Sequence, residues 1–324
     1  MIIAYCSNSE AVTLNEKEAP AFPDGTVWLD LLNPTKSEEG YVERLLGIEV
    51  PTREDLKDIE PSSRLYTENG AVFMTASLVC RADSEVPILA DIGFILAGDR
   101  LVTIRYAEPK AFGLFAAGLR RMPDGCRSGT VLLSKLMEAI VDRTAEILEH
   151  AELRIDSLSL MVFGDRARAN RRQPRHLEDR LFDVAGHHRL VSKTRDSLAS
   201  LSRLMTFLYT VPMVQEDRET KELCRSISRD IQSLSEHASF IAGNITFLLD
   251  ASLGLINVEQ NAIIKIFSIA SVVLLPPTMV ASIYGMNFAF MPELKWELGY
   301  PVALVLMLLS AIIPFFFFRW KGWL

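Results

Sequence analysis

The chain has 324 residues and a formal net charge of −7, enough length for two or more units that each bury a core. The acidic balance excludes a broad phosphate-binding face, and with it a nucleic-acid partner. Its cysteines, Cys6, Cys80, Cys126 and Cys224, are scattered without C-x-x-C spacing, which argues against a zinc cage or a disulfide framework and for reduced thiols.

The opening "MIIAYCSNSE" lacks both a basic n-region and a long apolar run, so no cleaved signal is expected and the chain reads as starting in the cytosol. Residues 1–125 read as a cytosolic α/β domain. "GTVWLDLLNP" is a strand ending in a proline turn, "AVFMTASLVCR" alternates apolar and small residues, and "IGFILAGDRLVTIRYAEP" is a pair of β-rich runs about a Gly-Asp turn, the signature of a hairpin. Helical stretches, "SEEGYVERLLGI" and "TREDLKDIE", lie between them, the second with Thr52 as N-cap three residues before Asp55.

From residue 126 to 211 the strand signals stop. Two long stretches keep apolar residues at helical spacing on either side of a break between Gly164 and Pro174, which predicts an antiparallel helix pair. The arginine-rich segment 166–175 within the break reads as a solvated turn rather than a nucleic-acid or headgroup patch. Past Pro212 a third helical run reaches Tyr284 and meets no proline until Pro276. Unbroken, it would measure about 100 Å, against a hydrocarbon core of about 30 Å. Residues 212–263 are therefore expected to project as a stalk, which needs partner helices from its own chain or from other copies.

Two uncharged apolar runs follow, Ile266–Ile283 and Pro301–Phe318, each just long enough to span a bilayer. The expected layout is a first transmembrane helix over 264–284, an external loop over 285–299, a second transmembrane helix over 300–319 and a tail over 320–324. Lys265, Arg319 and Lys321 flank the spans on one side, with Trp320 and Trp323 suited to the interface, whereas the loop carries Glu293, Lys295 and Glu297. The positive-inside bias puts both termini in the cytoplasm.

Within the first span a stripe at alternating spacings of four and three collects Asn261, Ile264, Ser268, Ser271, Leu275, Thr278 and Ser282. Such a stripe is either a helix–helix seam of small residues or a pore lining. Pro276-Pro277 removes backbone donors in mid-span. Neither apolar run holds a carboxylate or histidine of the kind that proton-coupled transport or a dehydrating cation cage requires.

"YGMN" at 284–287, followed by "MPEL", closely resembles the signature of the CorA family of divalent-cation channels; "INVEQNAIIKIFSIASVVLLPPTMVASIYGMNFAFMPELKWELGYP" is similar to the enterobacterial-type pore helix, and "PTREDLKDIEPSSRLY" to that group's cytosolic domain. The resemblance covers most of the chain. It implies an α+β membrane protein: a homopentameric funnel with a cytosolic α/β domain, stalk helices continuing into the pore, and an outer ring of second helices. It also implies a multi-pass protein of the bacterial inner membrane that takes up Mg²⁺, and also Co²⁺, with the membrane potential, the choice among Mg²⁺, Co²⁺ and Ni²⁺ being left open by the residues; it closes when cytosolic Mg²⁺ binds between subunits, and uses no organic cofactor and no enzymatic step.

Carried onto this chain, the selectivity filter falls on Gly285, Met286 and Asn287, with Gly285 permitting a sharp turn. Asn261, Ile264, Ser268, Ser271, Leu275 and Thr278 line the pore, with constrictions at Ile264, Phe267 or Ser268, and Leu275. Glu293 attracts cations at the external mouth, and Asp83, Asp217, Asp230 and Asp250 are candidates for the regulatory ions. The partners implied are further copies of the chain, lipid and divalent cations. Two alternatives stand beside this reading: a zinc transporter of the ZntB type, to which the His187-His188 pair would point, and a membrane-tethered sensor or scaffold.

Overall fold

The structure, a computed structural model, describes the chain except residues 8–9, 16–19, 59, 85, 122–127, 164–174, 288–290, 293–295 and 324. Cys126, Glu293 and nearly all of the arginine-rich turn lie outside the described residues. The chain divides into two units, Met1–Leu249 and Asp250–Leu324.

In the first unit seven strands form one mixed sheet in the order β2-β1-β3-β7-β6-β5-β4. They are β1 (Ile2–Cys6), β2 (Ala11–Leu14), β3 (Thr26–Leu32), β4 (Leu65–Glu68), β5 (Ala71–Cys80), β6 (Ile88–Ala97) and β7 (Arg100–Arg105). The β6–β7 hairpin closes Ala97 on Arg100 across Gly98-Asp99, as its sequence predicts. All neighbours are antiparallel except β3 and β7.

The helices are α1 (Lys36–Leu46), α2 (Pro61–Arg64), α3 (Lys110–Gly118), α4 (Gly129–Phe163), α5 (Arg175–Thr210), α6 (Pro212–Glu216), α7 (Arg218–Tyr284) and α8 (Gly299–Trp320). Thr35 and Glu38 cap α1 reciprocally. Thr52 and Asp55 make the same exchange, with the Asp55 carboxylate accepting from the Thr52 N–H at 2.8 Å. What they cap is one 3₁₀ turn, Asp55–Lys57, rather than a helix.

Strand alternation sorts the apolar residues onto two faces. Leu29 and Leu31 of β3, Val102 and Ile104 of β7 and Ile95 of β6 turn toward Tyr41 and Val42 of α1. Trp28, Leu101, Phe94, Met74 and Leu78 turn the other way, into a core that continues through α3, α4 and α5 to Cys224, Ile231 and Ile245 on α7. The helix pair thus has no separate core: its apolar stripe is the second wall of the sheet domain.

The parallel register of β3 and β7 brings Asp30 beside Thr103 and produces a buried polar chain. Trp28 Nε1 donates to Thr103 Oγ1 at 2.9 Å, and Thr103 Oγ1 donates to Asp30 Oδ1 at 2.8 Å. Arg105 closes on the same carboxylate, Nε to Oδ1 at 2.9 Å and Nη2 to Oδ2 at 2.8 Å, with its guanidinium 5.1 Å from the centre of the Phe112 ring. The forked geometry and the extra hydroxyl satisfy the carboxylate away from water.

Removing one partner strands the other. Asp30→Ala is expected to destabilise the first unit by about 3–5 kcal/mol, seen as a lower thermal midpoint of the purified full chain; a variant that melts with the wild type would show the pair to be dispensable.

Candidate functional site

The second unit holds the last part of α7 and all of α8, the two helices long and apolar enough to cross a membrane. They run antiparallel, since the ring of Trp323, just past α8, lies 5.6 Å from Lys265 Nζ. One side of α7 is shielded: Lys265, Ile269, Val273, Pro276, Pro277, Val280 and Tyr284 are all buried or half-buried. On α8 the matching stripe is Ala303, Met307, Ser310, Ala311, Pro314 and Phe318.

The stripe from Asn261 to Ser282 is on the other side, and all seven of its members are exposed. Ile264 is 61% exposed and Leu275 64%. Ser271, Leu275, Thr278 and Ser282 each precede a shielded residue by two positions, an angle of about 200° around an α-helix. The stripe therefore does not glue α7 to α8 within one chain.

Its chemistry follows from how the hydroxyls are used. Ser271 Oγ donates to Phe267 O at 2.9 Å, and Thr278 Oγ1 approaches Leu274 O at 3.0 Å and Leu275 O at 2.8 Å. Each proton goes to the helix's own backbone, so the oxygen lone pairs are what remains to face outward. Pro276 and Pro277 have no N–H to offer Val272 O and Val273 O, which adds two under-bonded acceptors to the same turn.

At the end of α7, Gly285 N donates to Ala281 O at 2.9 Å and Met286 N to Ile283 O at 3.3 Å. Gly285 is a turn residue outside the left-handed region. A Cβ there would stand 3.0 Å from Ala281 O, a tight contact to which that carbonyl would yield by a few tenths of an ångström. Asn287 follows, exposed and without a side-chain hydrogen bond among the described residues. Met286 is also exposed.

Of the four aspartates named from sequence, Asp83, Asp217 and Asp230 belong to the first unit and Asp250 to the second. Asp83, between β5 and β6, meets Lys110 and Arg143, both at 3.3 Å; the Lys110 hydrogen bond above all holds its carboxyl below the usual range. Asp217 caps α7, accepting from the Glu219 and Thr220 N–H groups at 3.3 Å and from the Thr220 hydroxyl. Asp230 and Asp250 are exposed further along α7, about 20 and 50 Å from its start. Among the described residues no group of three or more His, Cys, Asp or Glu side chains is placed to hold a metal.

A different acidic grouping emerges that the sequence did not signal. Burial first, then Asp142, raises the carboxyl of Glu138, and burial first, then Asp230 and Glu146, raises that of Asp142. Carboxylates from α4 and α7 thus repel one another across the helix contact. His187 is pushed down by burial and by Arg154, while His188 is exposed on the next position of α5.

A carboxyl raised in the folded state opposes folding as pH climbs through its folded pKa. Asp142→Asn is therefore expected to raise the thermal midpoint at neutral pH by a degree or two, about 1 kcal/mol at most because water screens these exposed groups. The gap should close on acidification, when the wild-type carboxyl is protonated as well; a constant gap in a melt series across pH would deny the repulsion.

Residues 23–320 match the family model described as CorA-like Mg2+ transporter protein. The chain is 35% identical over 327 residues to the magnesium transport protein CorA of Haemophilus influenzae, covering 100% of both. Among solved structures it resembles the complete CorA magnesium transporter of Methanocaldococcus jannaschii, with a TM-score of 0.78 at 19% identity over 100% of this chain and 99% of that one. The ZntB cytoplasmic domain of Vibrio parahaemolyticus is more distant, with a TM-score of 0.57 at 13% identity over 79% of this chain and 97% of that domain.

Proposed function

The chain belongs to the CorA-like Mg2+ transporter family, which comprises ion transporters rather than enzymes, and from that premise we propose that it carries Mg²⁺ across a bacterial inner membrane through a pore lined by α7. The observation that carries this reading is the open face of α7, with hydroxyl oxygens and apolar rings on the side that α8 leaves bare. In the proposed assembly, five copies turn this face inward and place α8 outside. Asn261, Ile264, Ser268, Ser271, Leu275 and Thr278 then line the path, and both termini lie in the cytoplasm.

Mg²⁺ dehydrates reluctantly, so a filter without carboxylates works on the hydrated ion. A ring of Asn287 amides, held at the helix end by Gly285 and Met286, offers carbonyl oxygens to the hydrogens of the ion's own waters and selects by size and hydrogen bonding. Glu293 raises the cation concentration at the outer mouth by its field. Below the filter, rings of Leu275 and Ile264 are narrow and apolar and close by dewetting.

The driving force needs no nucleotide: a divalent ion moving inward across 100 mV gains about 4.6 kcal/mol. Closure at high cytosolic Mg²⁺ is assigned to acidic groups of neighbouring subunits, with Asp83, Asp217, Asp230 and Asp250 as candidates. The Glu138, Asp142 and Asp230 grouping strengthens the case for Asp230, because a bound cation would relieve its repulsion.

In liposomes loaded with a Mg²⁺-sensitive dye, the chain should admit Mg²⁺ when the interior is negative, and flux with competing Co²⁺, Ni²⁺ and Zn²⁺ orders the ions. Asn287→Ala should abolish this uptake while the assembly keeps its size; full uptake would remove Asn287 from the filter. Leu275→Ala should raise the leak at high internal Mg²⁺, and an unchanged closed-state flux would place the constriction elsewhere. A silent wild-type assay with intact particles would favour a membrane-tethered scaffold.

A further inference from the structure

At the end of the hairpin where α7 enters its apolar run and α8 leaves its own, the chain folds back on itself in a defined way. Gly322 adopts φ +69°. Trp323 N donates to Phe318 O at 2.9 Å and Gly322 N to Arg319 O at 3.1 Å. This is a Schellman cap, in which a left-handed residue turns the chain so that the next side chain packs on the last helical turn. Here the Trp323 ring stacks on Phe318 with centroids 5.5 Å apart. Its face also lies 5.6 Å from Lys265 Nζ, so one tryptophan joins the end of α8 to the start of the apolar run of α7.

Lys265 lies over this ring, and Arg319 and Lys321 stand within four residues of Trp323 on the last turn of α8 and its cap. Among the described residues none of them reaches a carboxylate within ion-pair distance, and Lys321, like Lys265, lies over an aromatic ring, with Nζ 5.6 Å from the centre of Phe317. Trp320 is 82% exposed beside them. A cation over a ring keeps donors free for an anion. Next to these cations along α8 the surface is bare hydrocarbon, with Phe315, Phe316 and Phe317 exposed.

Resting on the membrane reading of the two apolar helices, we propose that this corner is a binding site for one anionic phospholipid. Its phosphodiester is held by Lys265, Arg319 and Lys321, its glycerol region lies against Trp320 and Trp323, and its acyl chains run along the phenylalanine face of α8. A phosphate matches the charge of these cations, and indole rings favour the headgroup level. The Schellman turn gives the site its shape, since it fixes where Trp323 and Lys265 stand. A juxtamembrane cluster of cations without this turn would attract anionic lipid only diffusely.

The test uses the full chain in nanodiscs of phosphatidylcholine with a minor share of phosphatidylglycerol, reading by mass spectrometry the lipid that stays with the protein on extraction. Insertion into pure phosphatidylcholine discs checks the membrane reading separately. Phosphatidylglycerol should be retained over its bulk share by at least about fivefold, the scale of a single juxtamembrane cation, and less at high salt. The double variant Lys265→Gln/Lys321→Gln should bring retention close to the bulk share.

Gly322→Val, which keeps every charge but strains the turn, should lose most of the selectivity. Retention at bulk composition by the inserted wild type, or enrichment untouched by the double variant, would overturn the site. Enrichment that survives Gly322→Val would reduce it to diffuse attraction, and removal of the lipid by equimolar inorganic phosphate would make it a free-phosphate site.

Discussion

The opposition of two faces on one helix governs what this chain can do. On the last turns of α7, the shielded residues and the hydroxyl-bearing residues lie about 200° apart, so α8 can cover one set only by leaving the other bare. In hydrocarbon an uncovered polar face is costly, because nothing there replaces water as a hydrogen-bond partner. The hydroxyls meet part of this demand by donating to their own backbone, but their lone pairs and the carbonyls opposite Pro276 and Pro277 still need partners. In the proposed assembly, further copies of the chain around a hydrated path supply them.

The first unit solves a different problem. Its sheet has cores on both faces, and the larger one runs on through α4 and α5 to the first part of α7. Satisfied and unsatisfied charge are distributed unevenly within it. The Asp30–Arg105 pair is buried, forked and further bonded by Thr103, an arrangement that stabilises one register of β3 on β7. Where α4 meets α7, by contrast, Glu138, Asp142 and Asp230 repel one another.

Much of this was legible along the chain. The two apolar runs, the alternating stripe and the Gly-Asp hairpin rest on local periodicity and turn chemistry, which short stretches carry by themselves. The third helix ends at Tyr284, as its pattern predicts, and begins at Arg218 because Asp217 caps it. That cap also shows where local reading falls short: the N–H groups that Asp217 accepts are known only once the helix start is placed. Likewise, the Thr52 and Asp55 exchange has the same sequence signature whether a full helix or one turn follows.

By itself, then, the amino-acid order determined the membrane-hairpin pattern, the heptad stripe with its terminal amide, and the α/β character of the N-terminal unit, because each depends on residues within a few turns of one another. Only the tertiary structure decided which side of α7 is covered, that α4 and α5 share the sheet's core, that Asp142 faces Asp230, and that Trp323 folds back beneath Lys265. These pairings join positions tens of residues apart, and no spacing along the chain encodes them; they exist only once burial and hydrogen bonding have chosen one packing among many.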